Sequence, residues 1–290
     1  HSGCRSPRRP RAWRRSPLAE AAGDVPAFVS RLQHFERVES TQAIVRGWLD
    51  AGTDEVCLAV ADAQSDGRGR MDRIWQDQPG SSLLVSAGFR PAGISAAHAW
   101  RLPAIASLAM LGAATSLLGP TADRLALKWP NDIVAVHHGR LLKVAGVLTE
   151  TGLQGDRLST SVVGLGVNVD WAKGDYPSDL ADSMWSLSEA SGRRRIDREA
   201  LLAAWLDRLG PLYEALQAGH FDSLRWADAQ ITTGTAVDVE TGSGTVSGTA
   251  VGVDREGGAL LVRTGPGQPM STIAVGDVVR CVVDDAETSV

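Results

Sequence analysis

The sequence predicts an α+β fold, in which a large mixed domain is followed by a small, separate β domain. Two observations support this prediction. Helical and strand-like apolar patterns are interspersed through most of the chain, and after Thr233 the pattern changes to short β-branched runs broken by glycines. The prediction gives a tail at 1–24, a mixed α and β domain at 25–230 and a small β-barrel or sandwich at 231–285.

The mixed domain is expected to contain three main helices and five strands. The predicted helices span residues 42–50, 95–118 and 196–218, and Ser40 or Thr41 suits the N-cap of the first. The predicted strands span residues 55–61, 81–89, 124–129, 143–149 and 160–169. Residues 137–140 are expected to form a short hairpin-like connection.

Composition limits the class of protein. The 290 residues are 43% hydrophobic and 22% charged, which suits one large core, or one core with a satellite domain. No apolar run reaches the roughly 18 residues of a membrane-spanning helix. Three cysteines, Cys4, Cys57 and Cys281, fit neither a disulfide framework nor a zinc-site spacing, so a reducing cytoplasm is the expected compartment.

Charge is distributed unevenly along the chain. The net charge is −5, although residues 1–15 contain six arginines and no acid, so the remainder is strongly acidic. An acidic body argues against a nucleic-acid surface spread over the fold. The Arg/Pro-rich tail is expected to be disordered and receives no function.

A glycine- and arginine-rich loop follows the predicted strand at 55–61. It reads Gln64-Ser-Asp-Gly67-Arg68-Gly69-Arg70 and leads to Trp75. Glycines let the backbone approach an anion, and guanidinium groups bind phosphate or carboxylate in a bidentate manner. A flexible solvated loop is the alternative interpretation. The nearby Trp75 favours a binding site, because a large aromatic side chain can form the wall of a site for a ring-shaped ligand.

Two further segments place lysines near strands. Lys128-Trp129-Pro130-Asn131-Asp132 places a lysine, an amide and a carboxylate at a strand end, although an ordinary strand-to-turn exit would look similar. Lys143 projects from a partly buried strand face, where it needs an anionic partner unless it is an edge lysine that reaches solvent.

The segment 163–169 combines an apolar face with a glycine face. Its odd positions are all aliphatic, while Gly164, Gly166 and Asn168 share the other face. This arrangement leaves a trough that a ligand or another backbone can occupy, and a glycine-tolerant core strand explains it equally well. No Walker loop or Rossmann glycine motif is present in the sequence.

In their order, these motifs resemble the biotin protein ligase family. Glu39-Ser-Thr-Gln42, the Gly67–Arg70 run with Trp75, and the segments 128–132, 143–146 and 164–168 follow that family's order between about residues 37 and 170. Residues 248–258 resemble its small C-terminal barrel. The resemblance therefore covers most of the chain.

The resemblance implies a biotin- and ATP-binding catalytic domain at 25–230, built on a mixed β-sheet and related to class II aminoacyl-tRNA synthetases and biotin/lipoate ligases, with a small SH3-like β-barrel at 231–285. It implies that ATP converts biotin to biotinyl-5′-AMP, and that the biotinyl group then passes to a lysine of biotin carboxyl carrier protein. Magnesium is implied to enter bound to ATP, without a direct protein ligand. A monomer or homodimer without DNA binding is the implied form.

Specific roles also follow from the resemblance. The implied catalytic residues are Arg68, Arg70, Asp132 and Lys143. The implied biotin-binding residues are Ser40, Thr41, Gln42, Gln64, Gly67, Arg68, Gly69, Arg70, Trp75, Lys143 and Gly146. The implied ATP-binding residues are Arg68, Arg70, Trp75, Lys128, Asn131, Lys143, Gly164, Gly166 and Asn168.

One departure from the family pattern lies in the glycine-arginine loop. Members usually carry a further glycine after the Gly-Arg-Gly-Arg run, and here Met71-Asp72-Arg73 occupies that region. Because Asp72 reduces backbone freedom, we expect slower or weaker loop closure. The competing hypotheses are a lipoate or octanoate protein ligase, for which Cys57 is a poor nucleophile candidate, and a non-catalytic biotin-binding module.

Overall fold

A computed structural model describes residues 25–120 and 122–283 as two β-sheets with helices packed on the larger one. The predicted tail at 1–24 lies outside the described residues, as do the last two positions of the predicted β domain. Within the described part of the chain, no helix is long and apolar enough to cross a membrane.

The larger sheet has seven strands in the order β1-β2-β3-β7-β6-β5-β4. β1 runs parallel to β2, and the other neighbouring pairs are antiparallel, so the sheet is mixed as predicted. The strands are β1 (Arg31–Phe35), β2 (Cys57–Ala61), β3 (Ser82–Phe89), β4 (Arg124–Lys128), β5 (Asp132–His137), β6 (Arg140–Gln154) and β7 (Arg157–Asn168).

Helices cover both faces of this sheet. The helices are α1 (Thr41–Asp50), α2 (Arg101–Leu117), α3 (Leu187–Ala190), α4 (Arg198–Gln217) and α5 (Ser223–Asp228). Alternation along β2 shows the two layers, because Leu58 and Val60 join the main core with α2 and α4, whereas Cys57 and Ala59 pack against α1.

The second sheet is antiparallel, in the order β11-β10-β9-β8-β12. Its strands are β8 (Ala236–Thr241), β9 (Gly244–Val253), β10 (Leu260–Arg263), β11 (Met270–Ile273) and β12 (Asp277–Val282). Glycine-rich turns separate short β-branched strands, which is the pattern the sequence shows after Thr233.

The structure differs from the predicted elements at several places. The strands β1 and β5 and the short helices α3 and α5 were not predicted. β6 and β7 extend past the predicted spans because their polar outer ends pair as a hairpin. The helix predicted at 95–118 is wrong at its start, since Ala96–His98 form a separate 3-10 turn. α2 begins at Arg101, which places Pro103 in the first turn. Proline is tolerated there because backbone N–H groups of the first turn have no acceptor within the helix, so the N–H that proline lacks is not needed. The predicted hairpin at 137–140 is confirmed by the pairing of His137 with Arg140.

We predict that Trp205→Ala lowers the free energy of unfolding by about 3–5 kcal/mol. Trp205 on α4 is fully buried, and its Nε1 donates to the Ala106 carbonyl on α2 at 3.1 Å, so the change leaves a cavity and removes a buried hydrogen bond. Leu224→Ala on the exposed side of α5 is the control, expected within about 0.5 kcal/mol of wild type in urea unfolding. Equal stabilities for the two variants would contradict this account of the core.

Candidate active site

A cavity of about 390 Å³ lies against the α1 side of the large sheet. Its wall on one side is formed by residues between Arg68 and Trp75, and on another side by the start of β12 from Asp277 to Val279. Of the site residues predicted from the sequence, Gly67 is not part of its lining. The others line the cavity: Ser40, Thr41, Gln42, Gln64, Arg68, Gly69, Arg70, Trp75, Lys128, Asn131, Asp132, Lys143, Gly146, Gly164, Gly166 and Asn168.

One end of the cavity is a fixed group of polar side chains at the start of α1. The Gln64 Oε1 accepts from the Thr41 backbone N–H at 2.7 Å and from its hydroxyl at 3.0 Å. The Thr41 hydroxyl also lies 2.8 Å from the Ser86 Oγ on β3. The Gln42 Nε2 donates to the Leu148 carbonyl at 3.1 Å. These contacts hold several donors and acceptors ready for a polar ligand.

Side chains of the protein itself occupy the trough predicted along β7. A Cβ on Gly166 would lie 2.4 Å from the Trp75 ring, and a Cβ on Gly164 would lie 3.0 Å from the Gln42 side chain. Gly146 on β6 pairs with Gly166, and a Cβ there would come within 3.1 Å of Trp75 and Lys143. The glycines therefore make room for an indole ring that lies flat against the sheet.

The glycine-arginine loop forms a small hairpin. Arg68 pairs with Ile74, the Gly69 N–H donates to the Arg73 carbonyl at 2.7 Å, and the Trp75 N–H donates to the Gly67 carbonyl at 2.8 Å. Gly67 is required by close packing, because a Cβ there would lie 2.7 Å from the Trp75 carbonyl oxygen. The hairpin thus fixes where the Trp75 ring lies.

The two arginines of this hairpin have different environments. The Arg70 guanidinium donates to Asn131 Oδ1 at 3.3 Å and to the Gly276 carbonyl at 3.0 Å. Burial lowers the pKa of Arg70, and the carboxylates of Asp277 and Asp132 oppose that shift. The Arg68 side chain is 56% exposed and pairs with Asp66 at 3.0 Å. Of the two arginines, Arg70 is therefore the one whose charge is held in place inside the cavity.

Two lysines complete the positive charge of the cavity. The Lys143 Nζ lies 2.6 Å from Asp132 Oδ1 and 5.7 Å from the centre of the Trp75 ring. The Lys128 Nζ donates to the Val278 carbonyl at 2.6 Å. The anionic partner that the sequence analysis expects for Lys143 is thus Asp132, the first residue of β5.

The two asparagines hold backbone segments in place. The Asn131 Nδ2 donates to the Val147 carbonyl at 2.6 Å. Asn168 is buried, and its Nδ2 donates to the carbonyls of Trp185 at 3.2 Å and Lys143 at 3.4 Å. Asn168 therefore secures the segment that follows β7 beside the cavity.

The hairpin is attached to the second sheet by charge. The Arg73 Nη2 lies 2.6 Å from Asp277 Oδ2, and the Gly276 carbonyl beside it accepts from Arg70. Asp277 begins β12, so the second sheet closes one side of the cavity and restrains the hairpin at the same time.

Comparison with known proteins matches this architecture. A model of the biotin/lipoate A/B protein ligase family matches residues 34–168. The chain is 32% identical over 238 residues to the bifunctional ligase/repressor BirA of Bacillus subtilis, covering 81% of this chain and 70% of that protein. It is 30% identical over 233 residues to a biotin–[acetyl-CoA-carboxylase] ligase of Paracoccus denitrificans, covering 78% of this chain and 92% of that protein.

A solved structure agrees with these relatives. The biotin protein ligase from Aquifex aeolicus in complex with biotin and ATP superimposes with a TM-score of 0.68 and 27% identity, over 86% of this chain and 97% of that one. This chain belongs to the biotin protein ligase family. The departure that the sequence shows from that family's loop pattern can now be placed in three dimensions.

Met71 and Asp72 form the tip of the hairpin in this biotin protein ligase. Their φ angles are 54° and 57°, and the Arg73 N–H donates to the Arg70 carbonyl at 3.2 Å, which is the hydrogen bond of a tight turn. Side chains with a Cβ are strained in the left-handed region, where glycine is not. The loss of the usual glycine therefore falls at a position where glycine would relieve strain.

Some lining residues were not predicted from the sequence. Ser86 could have been found, because it is a polar residue in an otherwise apolar strand. Arg73 and Asp277 carried no signal, since neither is unusual in its local sequence. The other unpredicted lining residues include Leu180, Ser183, Met184, Val278 and Val279.

Cys57 does not belong to the site. It is fully buried in β2 and packs with α1, and burial raises the pKa of its thiol. A thiol held protonated in an apolar layer is a poor nucleophile. The structure thus supports the rejection of Cys57 as a catalytic group.

We predict that Asp277→Asn loosens the hairpin. The change removes the charge opposite Arg73, and the loss of a partly exposed ion pair corresponds to about 1 kcal/mol, or roughly fivefold faster tryptic cleavage at Arg70 and Arg73. Asp238→Asn is the matched control, because Asp238 pairs with Arg280 at 3.0 Å on the same sheet but lies outside the cavity lining. Equal cleavage rates in the two variants would show that Asp277 does not restrain the hairpin.

We also predict that Asp72→Gly stabilises the hairpin by about 1 kcal/mol, because glycine adopts a positive φ without a Cβ clash. Hydrogen exchange at the Arg73 and Trp75 amides, which both donate within the hairpin, measures the effect. Asp156→Gly, in a turn remote from the cavity, should leave those two exchange rates unchanged. Faster exchange in Asp72→Gly would contradict the assignment of strain.

Proposed function

We propose that this chain activates biotin with ATP to form biotinyl-5′-AMP and transfers the biotinyl group to a lysine of a biotin carboxyl carrier protein. The observation that carries the proposal is one cavity that unites a fixed polar end with the cations Arg70, Lys128 and Lys143 and with the indole wall of Trp75. Its volume of about 390 Å³ is in the range of small-molecule sites. Relatives named as biotin protein ligases align with most of this chain.

The polar end of the cavity suits the ureido group of biotin. A ureido group offers two N–H donors and one carbonyl acceptor. Thr41, Gln64 and Ser86 supply hydroxyl and amide groups of both kinds, and their mutual hydrogen bonds fix their positions. Ser40 and Gln42 are buried at the same end of α1 and complete this wall.

The cations suit the carboxylate of biotin and the phosphates of ATP. In adenylation, a biotin carboxylate oxygen bonds to the α-phosphorus, and the bond from phosphorus to the bridging oxygen breaks as pyrophosphate leaves with the electron pair. Lys143 and Arg70 line the cavity as fixed positive charges that stabilise the developing negative charge. Lys128 and Arg68 contribute further charge, with Arg68 nearer to solvent.

Magnesium fits this site as part of the nucleotide complex. Mg²⁺ prefers oxygen ligands, and the two carboxylates that line the cavity are both engaged, Asp132 with Lys143 and Asp277 with Arg73. No cluster of three or more possible metal ligands occurs in the described residues 25–120 and 122–283. Phosphate oxygens of ATP would thus hold the ion, which supplies charge neutralisation when bound.

The hairpin and Trp75 act as the cover of the adenylate. Exclusion of water matters because a mixed anhydride hydrolyses readily. Trp75 lies against Gly166, beside the Lys143–Asp132 pair, so a shift of the hairpin opens or closes the centre of the cavity. Gly146 and Gly164 keep the floor low enough for this ring and the ligand.

The domain assignment completes the proposal. Residues 25–230 would form the catalytic domain, with the relationship to class II aminoacyl-tRNA synthetases that the resemblance implies, and residues 231–285 would form an SH3-like barrel. The cytoplasm is the proposed compartment. A lipoate or octanoate ligase is the weaker alternative, because the relatives compared above are named for biotin.

The activity is tested by incubating the chain with ATP, Mg²⁺, biotin and an unmodified carrier domain, followed by detection of carrier-bound biotin. Lys143→Met is expected to lower the rate of adenylation by about 10²–10³-fold, because it removes one charge from the reacting centre and keeps the length of the side chain. Lys173→Met is the matched control, since Lys173 is exposed and lies outside the cavity lining.

Two outcomes would overturn the proposal. Transfer of lipoate with no transfer of biotin would favour the alternative ligase, and biotin binding without pyrophosphate release would favour a non-catalytic module. Near-full adenylation by Lys143→Met, with a melting temperature like that of wild type, would remove Lys143 from the mechanism.

A further inference from the structure

A second cavity of about 250 Å³ lies beside the first. Its walls include the indoles of Trp100, Trp129 and Trp226, together with Gly257 and Gly258 of the second sheet. Sites for drug-sized ligands usually enclose about 300–1,000 Å³, so this cavity is small for a second substrate. Its size suits one long side chain.

The two cavities meet at the turn between β4 and β5. Both are lined by Arg70, Lys128, Asn131, Asp132 and the adjoining Val147–Leu148 segment of β6. The hairpin residues Trp75 and Arg68 line only the first cavity, and the tryptophans line only the second. A group that enters through the second cavity therefore passes Arg70 and reaches Asp132 without displacing Trp75.

The walls of the second cavity suit an alkyl amine. The Trp129 Nε1 donates to the Gly258 carbonyl at 3.0 Å and the Trp100 Nε1 donates to the Glu256 carbonyl at 3.2 Å, so both indole N–H groups are already used. The surface that these indole rings offer a ligand is therefore apolar and aromatic. Such surface packs against methylene groups and attracts an ammonium group.

An unsatisfied acceptor lies in the same wall. Gln230 is 5% exposed, and its Oε1 has no hydrogen-bond partner among the described residues. The Thr149 Oγ1 is also buried without a partner among them, and it lines the same cavity. A buried acceptor without a donor is costly, so a ligand N–H group that reached either atom would be bound favourably.

We propose that the second cavity is the entry channel of the acceptor lysine, which passes from the carrier protein along the tryptophan wall to Asp132 and the adenylate. This inference rests on the proposed function. It separates the path of the protein substrate from the opening that the hairpin covers, so that the adenylate can stay covered while the lysine enters.

The charges along this path favour the reactive form of the amine. Gln230 can hold the ammonium group on the way in, and at the inner end Arg70 and Lys128 disfavour a further positive charge. A neutral amine is the nucleophile that acyl transfer needs. Its nitrogen bonds to the acyl carbon of biotinyl-AMP, and the bond from that carbon to the phosphate oxygen breaks as AMP leaves with the electron pair. The proton released from nitrogen passes to Asp132 or to water.

Ala274→Phe tests the channel from its rim. Ala274 is exposed and lines the second cavity but not the first, so a phenyl group there narrows the entrance without disturbing the core. Val275→Phe is the matched control, because Val275 is the adjacent residue, is 73% exposed and lines neither cavity. Each variant is loaded with biotinyl-AMP and mixed with an unmodified carrier domain or with hydroxylamine, which is small enough to reach the adenylate by either opening.

The expected result is selective. Ala274→Phe should slow transfer to the carrier by about tenfold or more, equivalent to about 1.4 kcal/mol, and keep ATP–pyrophosphate exchange and the hydroxylamine reaction near wild type. Val275→Phe should transfer at the wild-type rate. Equal carrier transfer by the two variants would overturn the channel, as would an equal loss of the hydroxylamine and carrier reactions.

Gln230→Leu provides an independent test from inside the cavity. Because its Oε1 has no partner, replacement should leave the melting temperature unchanged or raised, whereas transfer to the carrier should slow and adenylation should not. A lower melting temperature with normal transfer would mark Gln230 as merely structural and overturn its role. If the wild-type chain forms no adenylate, the proposed function itself fails. Normal adenylation and normal transfer in all three variants would instead overturn the channel and leave the proposed function intact.

Discussion

The close approach of the Trp75 ring to the backbone of Gly166 is the constraint on which the rest of the site depends. A Cβ at Gly166 would lie 2.4 Å from the ring, so the indole can lie there only because β7 presents glycine on that face. The opposite face of β7 is aliphatic and belongs to the main core, which fixes the strand rigidly. A rigid strand with one bare face gives the hairpin a defined place to rest. The position of Trp75 in turn defines the space in which Lys143 and a ligand can meet.

Contacts with the second sheet hold the charged groups of this site in place. Arg70 donates to the carbonyl of Gly276, just before β12, and Lys128 donates to the carbonyl of Val278 in β12. Arg73 pairs with Asp277, the first residue of that strand. A half-buried guanidinium needs such partners, because its desolvation is otherwise uncompensated. The second sheet is therefore part of the site. Removal of its contacts would free the hairpin and two of the cations together.

Many of the residues that line the cavity could be predicted from the sequence, because the patterns that mark them lie in adjacent positions. Gly164 and Gly166 alternate with aliphatic residues, and the residues of the 128–132 and 64–70 segments combine charge with turn chemistry, which is visible in a few adjacent positions. The structure brings these segments to one cavity. Their detailed partners were harder to predict. From the sequence, Arg68 and Arg70 receive the same predicted roles. In the folded hairpin, Arg70 contacts Asn131, whereas Arg68 pairs with Asp66.

The mixed fold, the apolar and glycine faces of β7, the need of Lys143 for an anion and the family resemblance can all be predicted from the amino-acid sequence. Those properties depend on residue type and on periods of two or 3.6 residues. The folded chain is needed to show that the anion is Asp132, that Gly276, 206 positions after Arg70, accepts its hydrogen bond, and that a second cavity adjoins the first. Such contacts join segments that are remote along the chain, and no local pattern encodes a partner that folding alone brings near.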